Sequence, residues 1–504
     1  MKLDDRDRWI AAAMFAVAAL AARLVGIGSP GFTSAEVHRL TFGGGGLLAY
    51  FSTSFEPPIY PLFIALWSTI SDAEWWVRLP SALFSAAAVG VAFLVIERKI
   101  TAVTATLACV LLSLHPMSVE AAQQASPVAL ATLFVALSAY YASAWLATHG
   151  ESAKLPTVIF AALAIYTHTF AWFYVAWLGF AMFSSSIKPG FRFRDAFAPV
   201  AGAVLLGLPW LPAMVRQAAH GMATIPREDL TAFAARLCAN FPFGVDTWHI
   251  PTFSGLWHFA GVGDAALVVA LFALFAFVAV LGFWGGFRHP FLGALFAVPV
   301  VIAFVARIFV PVSLVDMTIV APAAIGCVAS GIGELSRRSR FGGVLAAAIA
   351  VVLVLLAAGA VNDVHRNRRY NPADWREIHA RLGEPRPREW VMAYSAESAA
   401  PFEFYSRGRW QFKPLAATDA EALRMGSRGL AAKALSFAPL AFRITLIDHD
   451  GERFDPDAEV VKVLAATLGR PTFQTVAGYP TYTIVSYPDR RAFEPLKLFW
   501  LLKW

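Results

Sequence analysis

Charge is scarce in this chain. Asp, Glu, Lys and Arg make up 15% of its 504 residues, against about 25% in soluble globular proteins, and the mean hydropathy is +0.59. An ordinary soluble protein is excluded. Cysteine is scarcer still: Cys109, Cys238 and Cys327 form no CxxC and no pairable set. That excludes a disulfide framework and a cysteine metal site. HExxH, a P-loop and a GxGxxG between strand and helix are also missing, which argues against a zinc protease or a nucleotide enzyme. The sequence pI is near 9.4, yet the basic residues form no tract. Nucleic acid is therefore not an expected partner, and membrane orientation explains the basic residues better.

The charge that is present sits unevenly. Residues 361–504 hold 21 of the 41 Lys+Arg and 17 of the 34 Asp+Glu. This predicts a polytopic membrane domain over 1–361 and a soluble domain over 362–504. Apolar segments run at about 9–27, 80–96, 102–115, 127–148, 156–184, 196–215, 263–286, 290–310, 317–334 and 342–361. The 156–184 run is too long for one untilted span and is polar at Tyr166-Thr167-His168-Thr169, so it reads as two short helices. The expectation is an α-helical membrane protein with about eleven transmembrane helices.

With the N-terminus cytoplasmic, 13 of the 20 basic residues before position 361 fall in short inner segments, as the positive-inside rule requires. The long loops 28–79 and 216–262 and the C-terminal domain then lie outside, which in a bacterium means the periplasmic side of the inner membrane. Long structured loops on one face point to function there. Within the C-terminal part, Trp390–Tyr394, Phe442–Ile447 and Tyr482–Tyr487 read as strands, and 373–382 and 457–468 as helices. This predicts an extracytoplasmic α/β domain.

Several short motifs follow one another in a telling order. Arg23 closes the first apolar run. Then come Gly31-Phe32-Thr33-Ser34-Ala35-Glu36, Glu56-Pro57-Pro58-Ile59-Tyr60 and Arg78-Leu79-Pro80-Ser81. His115-Pro116 with Gln123 and Tyr166-Thr167-His168 come next. The soluble part opens with Asp374-Trp375-Arg376-Glu377 and later carries Phe404-Tyr405-Ser406-Arg407-Gly408. In this order and spacing the chain resembles the GT-C superfamily of membrane glycosyltransferases. Within it the chain resembles the protein O-mannosyltransferase and lipid A aminoarabinose transferase branch.

The resemblance implies an inverting sugar transfer from a polyprenyl-phosphate donor to an extracytoplasmic lipid, glycan or protein. A first-loop carboxylate would take the acceptor proton, and cations would receive the leaving phosphate. Glu36 is the candidate base; its alternative is a helix-capping carboxylate acting with Ser34. Glu56, before two prolines, either replaces the carboxylate that the family carries at Ala35 or is a solvated loop residue. Arg78, Arg307, His168 and Arg39 are the substrate- or phosphate-binding candidates. Arg78 serves equally to order the loop. Arg307, in an apolar run, can instead pair with Asp316 or reach the headgroups. His168 also reads as a packing residue.

The family's second-loop arginine is absent from Gln123-Gln124-Ala125-Ser126, and Asp316-Met317 stands where an Arg-Tyr pair is usual. These departures keep an alternative open, a catalytically degenerate partner or scaffold in envelope glycan assembly. A lipid-linked sugar transporter is a second alternative, but the inverted repeats it calls for are not visible. No metal site is indicated, and a divalent cation stays open as cofactor. The expected partners are the polyprenyl-phosphate sugar, membrane lipids and envelope assembly proteins.

Overall fold

The computed structural model describes residues 3–41, 56–148, 151–186, 193–216, 264–306, 315–366, 374–386, 388–438, 441, 443–449, 451–476 and 482–487. The loop at 216–262 and Arg307 therefore lie outside the described residues, save Arg216. In chain order the helices begin with α1 (Asp5–Leu24), α2 (Ser34–Leu40), α3 (Ile59–Trp67), α4 (Glu74–Lys99), α5 (Ala102–Ser113), α6 (Pro116–Ala122) and α7 (Pro127–Thr148). Next come α8 (Lys154–Ile165), α9 (Ala171–Ser186), α10 (Phe193–Gly207), α11 (Asp264–Arg288), α12 (Pro290–Ala306), α13 (Ala321–Arg338) and α14 (Arg340–Arg366). Then follow α15 (Trp375–Leu382), β1 (Glu389–Ser395), α16 (Ala400–Ser406), β2 (Gln411–Ala416) and α17 (Asp419–Phe437). The last elements are β3 (Arg443–Asp448), α18 (Gly451–Phe454), α19 (Glu459–Leu468), β4 (Thr472–Val476) and β5 (Tyr482–Ser486).

The chain forms two compact units. One comprises Met1–Ile27 with Phe42–Arg366, the other Gly28–Thr41 with Asn367–Trp504. The start of the first long loop thus belongs with the C-terminal sheet, a grouping that composition did not suggest.

The core of the helical unit is mostly apolar. Five of its described helices are long and apolar enough to cross a membrane singly: Glu74–Lys99, Pro127–Ala147, Phe197–Arg216, Asp316–Arg338 and Arg340–Asn362. Two bent pairs, Ala102–Ser113 with Pro116–Ala122 and Ala276–Arg288 with Pro290–Ala306, bring the number to seven if each is one span. The 156–184 run is broken between Ile165 and Ala171, where α8 ends and α9 begins. Small residues let the helices meet closely: a Cβ at Gly285 on α11 would lie 2.0 Å from the Cys327 carbonyl on α13.

In the second unit the sheet order is β2-β1-β3-β5-β4, with β1, β2 and β3 parallel and β5 and β4 antiparallel. β1 is buried along its whole length, so both faces must be covered. Alternation divides them. Trp390, Met392 and Tyr394 pack with α17 and α19, whereas Val391 and Ala393 pack with Trp375, Ile378 and Phe402. The strands read at 390–394, 442–447 and 482–487 appear as Glu389–Ser395, Arg443–Asp448 and Tyr482–Ser486, and the two helices as Trp375–Leu382 and Glu459–Leu468. β2, β4 and α17 are added to them.

Candidate active site

In the helical unit the motif residues meet at one end of the bundle. Arg23, in the last turn of α1, is fully buried. Its Nε donates to Ser85 Oγ (2.8 Å), Nη1 to the Ala19 and Ser113 carbonyls (2.9 and 3.2 Å), and Nη2 to the Leu112 carbonyl (3.3 Å). Leu112 and Ser113 close α5, where carbonyls lack helical donors and the helix dipole favours a cation. Arg23 is thus a joint between α1, α4 and α5. Gln123, just beyond α6, ties the chain that leaves α1 through the Arg23 and Val25 carbonyls (3.1 and 2.6 Å).

Arg78-Leu79-Pro80-Ser81 lies inside α4 and works as a second joint. Arg78, 1% exposed, donates from Nη1 to the Ile27 carbonyl (3.1 Å). Pro80 has no N–H for the carbonyl four residues back, that of Trp76. The Trp67 indole supplies the donor instead (2.8 Å), and Trp76 Nε1 returns a bond to the Trp67 carbonyl (3.2 Å) with the two rings stacked at 4.4 Å. Ser81 Oγ bonds the Tyr60 hydroxyl at 2.6 Å and lies 3.4 Å from both the carbonyl and the N–H of Ser126. Three motifs that are distant in sequence are therefore one hydrogen-bonded assembly.

Beside it, Ile59 N–H donates to the Tyr166 carbonyl (3.0 Å). Two residues on, His168 Nδ1 accepts the Phe170 N–H (3.1 Å), so the proton of the neutral ring sits on Nε2. Nε2 faces Asp316 Oδ1 at 3.3 Å. The acid at the family's Arg-Tyr position thus pairs with His168. The sequence offered Asp316 a different partner in Arg307, and no local signal joins His168 to it. Glu56 directly precedes the Pro57-Pro58 turn into α3 and is half-buried.

Glu36 belongs to the other unit. Thr33 is the N-cap of α2: its hydroxyl accepts the Glu36 N–H (3.3 Å), while Glu36 Oε2 accepts the Thr33 N–H (2.9 Å). This is a capping box. The cap is Thr33 rather than Ser34, whose hydroxyl donates to the Ser398 carbonyl instead. Glu36 is fully buried, Ala35 is exposed, and Arg39 follows half-buried in the last turn of α2.

In the same unit, Ser395 and Ser398 both donate to Asp419 Oδ1 at the ends of the parallel strands. Burial, with Asp448 and Asp455 close by, pushes the Tyr394 hydroxyl well up, so it stays protonated. Among the described residues no group of three or more His, Cys, Asp or Glu could hold a metal ion.

A family model described as dolichyl-phosphate-mannose-protein mannosyltransferase matches residues 55–212. ArnT from Cupriavidus metallidurans in the apo state superposes with a TM-score of 0.57 at 14% identity, over 94% of this chain and 97% of that one. The same protein bound to undecaprenyl phosphate gives 0.53 at 15% identity over the same shares. The Archaeoglobus fulgidus oligosaccharyltransferase in the apo form gives 0.51 at 12% identity, over 93% of this chain and 73% of that one.

This is the GT-C fold.

No curated protein sequence matches the chain significantly, so the likeness rests on the family-model match over residues 55–212 and on architecture. The mannosyltransferase match spans α3 to α10 and includes the Arg78–Ser81 joint, but it begins after Glu36.

Proposed function

We propose that the protein is an integral membrane glycosyltransferase that moves a sugar from a polyprenyl-phosphate donor to an extracytoplasmic acceptor with inversion. The carrying observation is the correspondence of nearly the whole chain with a structure that holds undecaprenyl phosphate. In the reaction the acceptor hydroxyl oxygen bonds to the anomeric carbon as the bond to the phosphate oxygen breaks. The electron pair leaves on the phosphate, and a carboxylate takes the hydroxyl proton.

Glu36 is the proposed base, with Glu56 as the acid that compensates for Ala35. Arg78, Arg307, Arg39 and His168 are the groups proposed to meet the donor. Phosphate leaves readily, so one base and a cation are enough. The proposed setting is the bacterial inner membrane, with the C-terminal domain on the periplasmic side.

A second reading, a non-catalytic partner in envelope glycan assembly, is favoured by one observation. The Glu36 carboxylate is buried in a capping box, while the position that carries the family's aspartate is an exposed alanine. Purified protein in nanodiscs, given labelled undecaprenyl-phosphate sugars and a panel of acceptors, separates the two. An enzyme transfers or hydrolyses donor, and Glu36→Gln lowers turnover by roughly a hundredfold or more. Wild-type turnover in Glu36→Gln with loss in Glu56→Gln would move the base to Glu56. No turnover of any donor would favour the partner reading.

A further inference from the structure

Two motifs of the sheet unit have no part in the reaction above: Asp374-Trp375-Arg376-Glu377 and Phe404-Tyr405-Ser406-Arg407-Gly408. Both end on the same short piece of chain, Ser29–Ser34. Arg376 is gripped by Asp374 (Nε–Oδ1 3.0 Å, Nη2–Oδ2 2.8 Å), and the same Nη2 donates to the Ser29 carbonyl. The Tyr405 hydroxyl accepts the Phe32 N–H at 2.7 Å. The Phe32 ring, 1% exposed, meets Phe404 edge-on and lies nearly parallel to Tyr405.

Between these contacts sits Gly31, where a Cβ would fall 2.5 Å from Asp374 Oδ1 and 3.3 Å from the Tyr405 hydroxyl oxygen. A side chain here would push the Asp374 carboxylate out of its place against Arg376. Thr33, next after Phe32, caps α2 and is the reciprocal partner of Glu36.

α2 is seven residues long, too short to hold a helical conformation or a direction by itself. Its orientation is set by what its N-terminus is tied to. We propose that Asp374, Arg376 and Tyr405 are positioning residues: they seat Ser29–Ser34 on the sheet unit and thereby fix the Glu36 carboxylate. The C-terminal domain is then part of the catalytic machinery rather than an appendage. The proposal rests on the reading of Glu36 as base, and its test is read separately from that reading.

The test uses the full chain in nanodiscs and two variants: Tyr405→Phe, which keeps the ring and removes the acceptor, and Gly31→Ala, which crowds both motifs. Amide hydrogen exchange of Ser34–Leu40 should speed up about tenfold or more in both, with β1 and β3 amides unchanged. Donor turnover should fall about tenfold in kcat with KM within about twofold, because displacement of a base by a fraction of an ångström acts on the chemical step. Wild-type exchange of α2 in both variants overturns the tether. Faster exchange with undiminished kcat overturns the positioning role. Undiminished kcat in Glu36→Gln, with α2 exchange still raised by Tyr405→Phe, overturns the base reading instead and leaves the tether standing.

Discussion

At one end of the helical unit the cations rest against aromatic rings. Arg98 lies 4.2 Å over Tyr140, Lys99 4.5 Å over Phe291 and Arg338 4.4 Å over Trp284, and Arg8 meets Glu97 at 2.8 Å. The four cations are half-buried or exposed, while Glu97 is buried. At the other end Arg23 and Arg78 are buried and aim at backbone carbonyls. The same charge serves two purposes. A cation at a helix end can lay its charged head on a ring face while part of the side chain stays open to solvent, and it then marks a boundary between apolar and polar surroundings. A cation inside the bundle must have every donor answered, so it ties together helices that would otherwise slide.

The contrast breaks most sharply at Arg23. Arg23→Met removes the guanidinium donors from Ser85 and from the carbonyls of Ala19, Leu112 and Ser113, and it should cost on the order of 3 kcal/mol of unfolding free energy in detergent or nanodiscs. Arg23→Lys should recover only part, because one ammonium cannot reach as many acceptors as the guanidinium fork. A loss below about 1 kcal/mol for the Met variant would remove the joint from the account.

Tyr60→Phe is the intermediate case. It removes one partner of Ser81 and should cost about 1–2 kcal/mol, read in the same unfolding assay, with the Phe ring retaining the packing. Arg98→Gln should be mildest, about 0.5–1 kcal/mol, since Arg98 is half-exposed and water can replace its bonds to the Tyr140 carbonyl and hydroxyl and the Ser143 hydroxyl as well as its ring contact. Arg98→Gln as costly as Arg23→Met would erase the distinction between the two ends.

Much of the fold was legible because spacing alone carries it. Apolar runs predicted the long helices of the first unit but not Pro116–Ala122, and the polar step at Tyr166–Thr169 marked the break between α8 and α9. The β1, β3 and β5 strands were readable from alternation and β-branched content, whereas Gln411–Ala416 and Thr472–Val476 were not. The first holds a proline, and the second is exposed over its first four residues, so neither shows a buried strand pattern.

The candidate site was less legible. Arg78-Leu79-Pro80-Ser81 could be picked out as a motif, but the sequence could not show that Pro80 frees a carbonyl for Trp67 or that Ser81 answers Tyr60. For Glu36 the sequence suggested a cap made with Ser34, whereas Thr33 holds that place.

By itself the sequence determined the class of solvent for each part of the chain and the period of each element. Those follow from local composition, which a residue carries wherever it folds. Only the tertiary structure decided that Gly28–Thr41 belongs with the C-terminal sheet, that Asp316 faces His168, and that Arg23 closes α5. Each of these is a contact between partners far apart in the chain. Such contacts are chosen by which buried polar group lacks a partner once the apolar faces have packed, and no window of sequence holds that information.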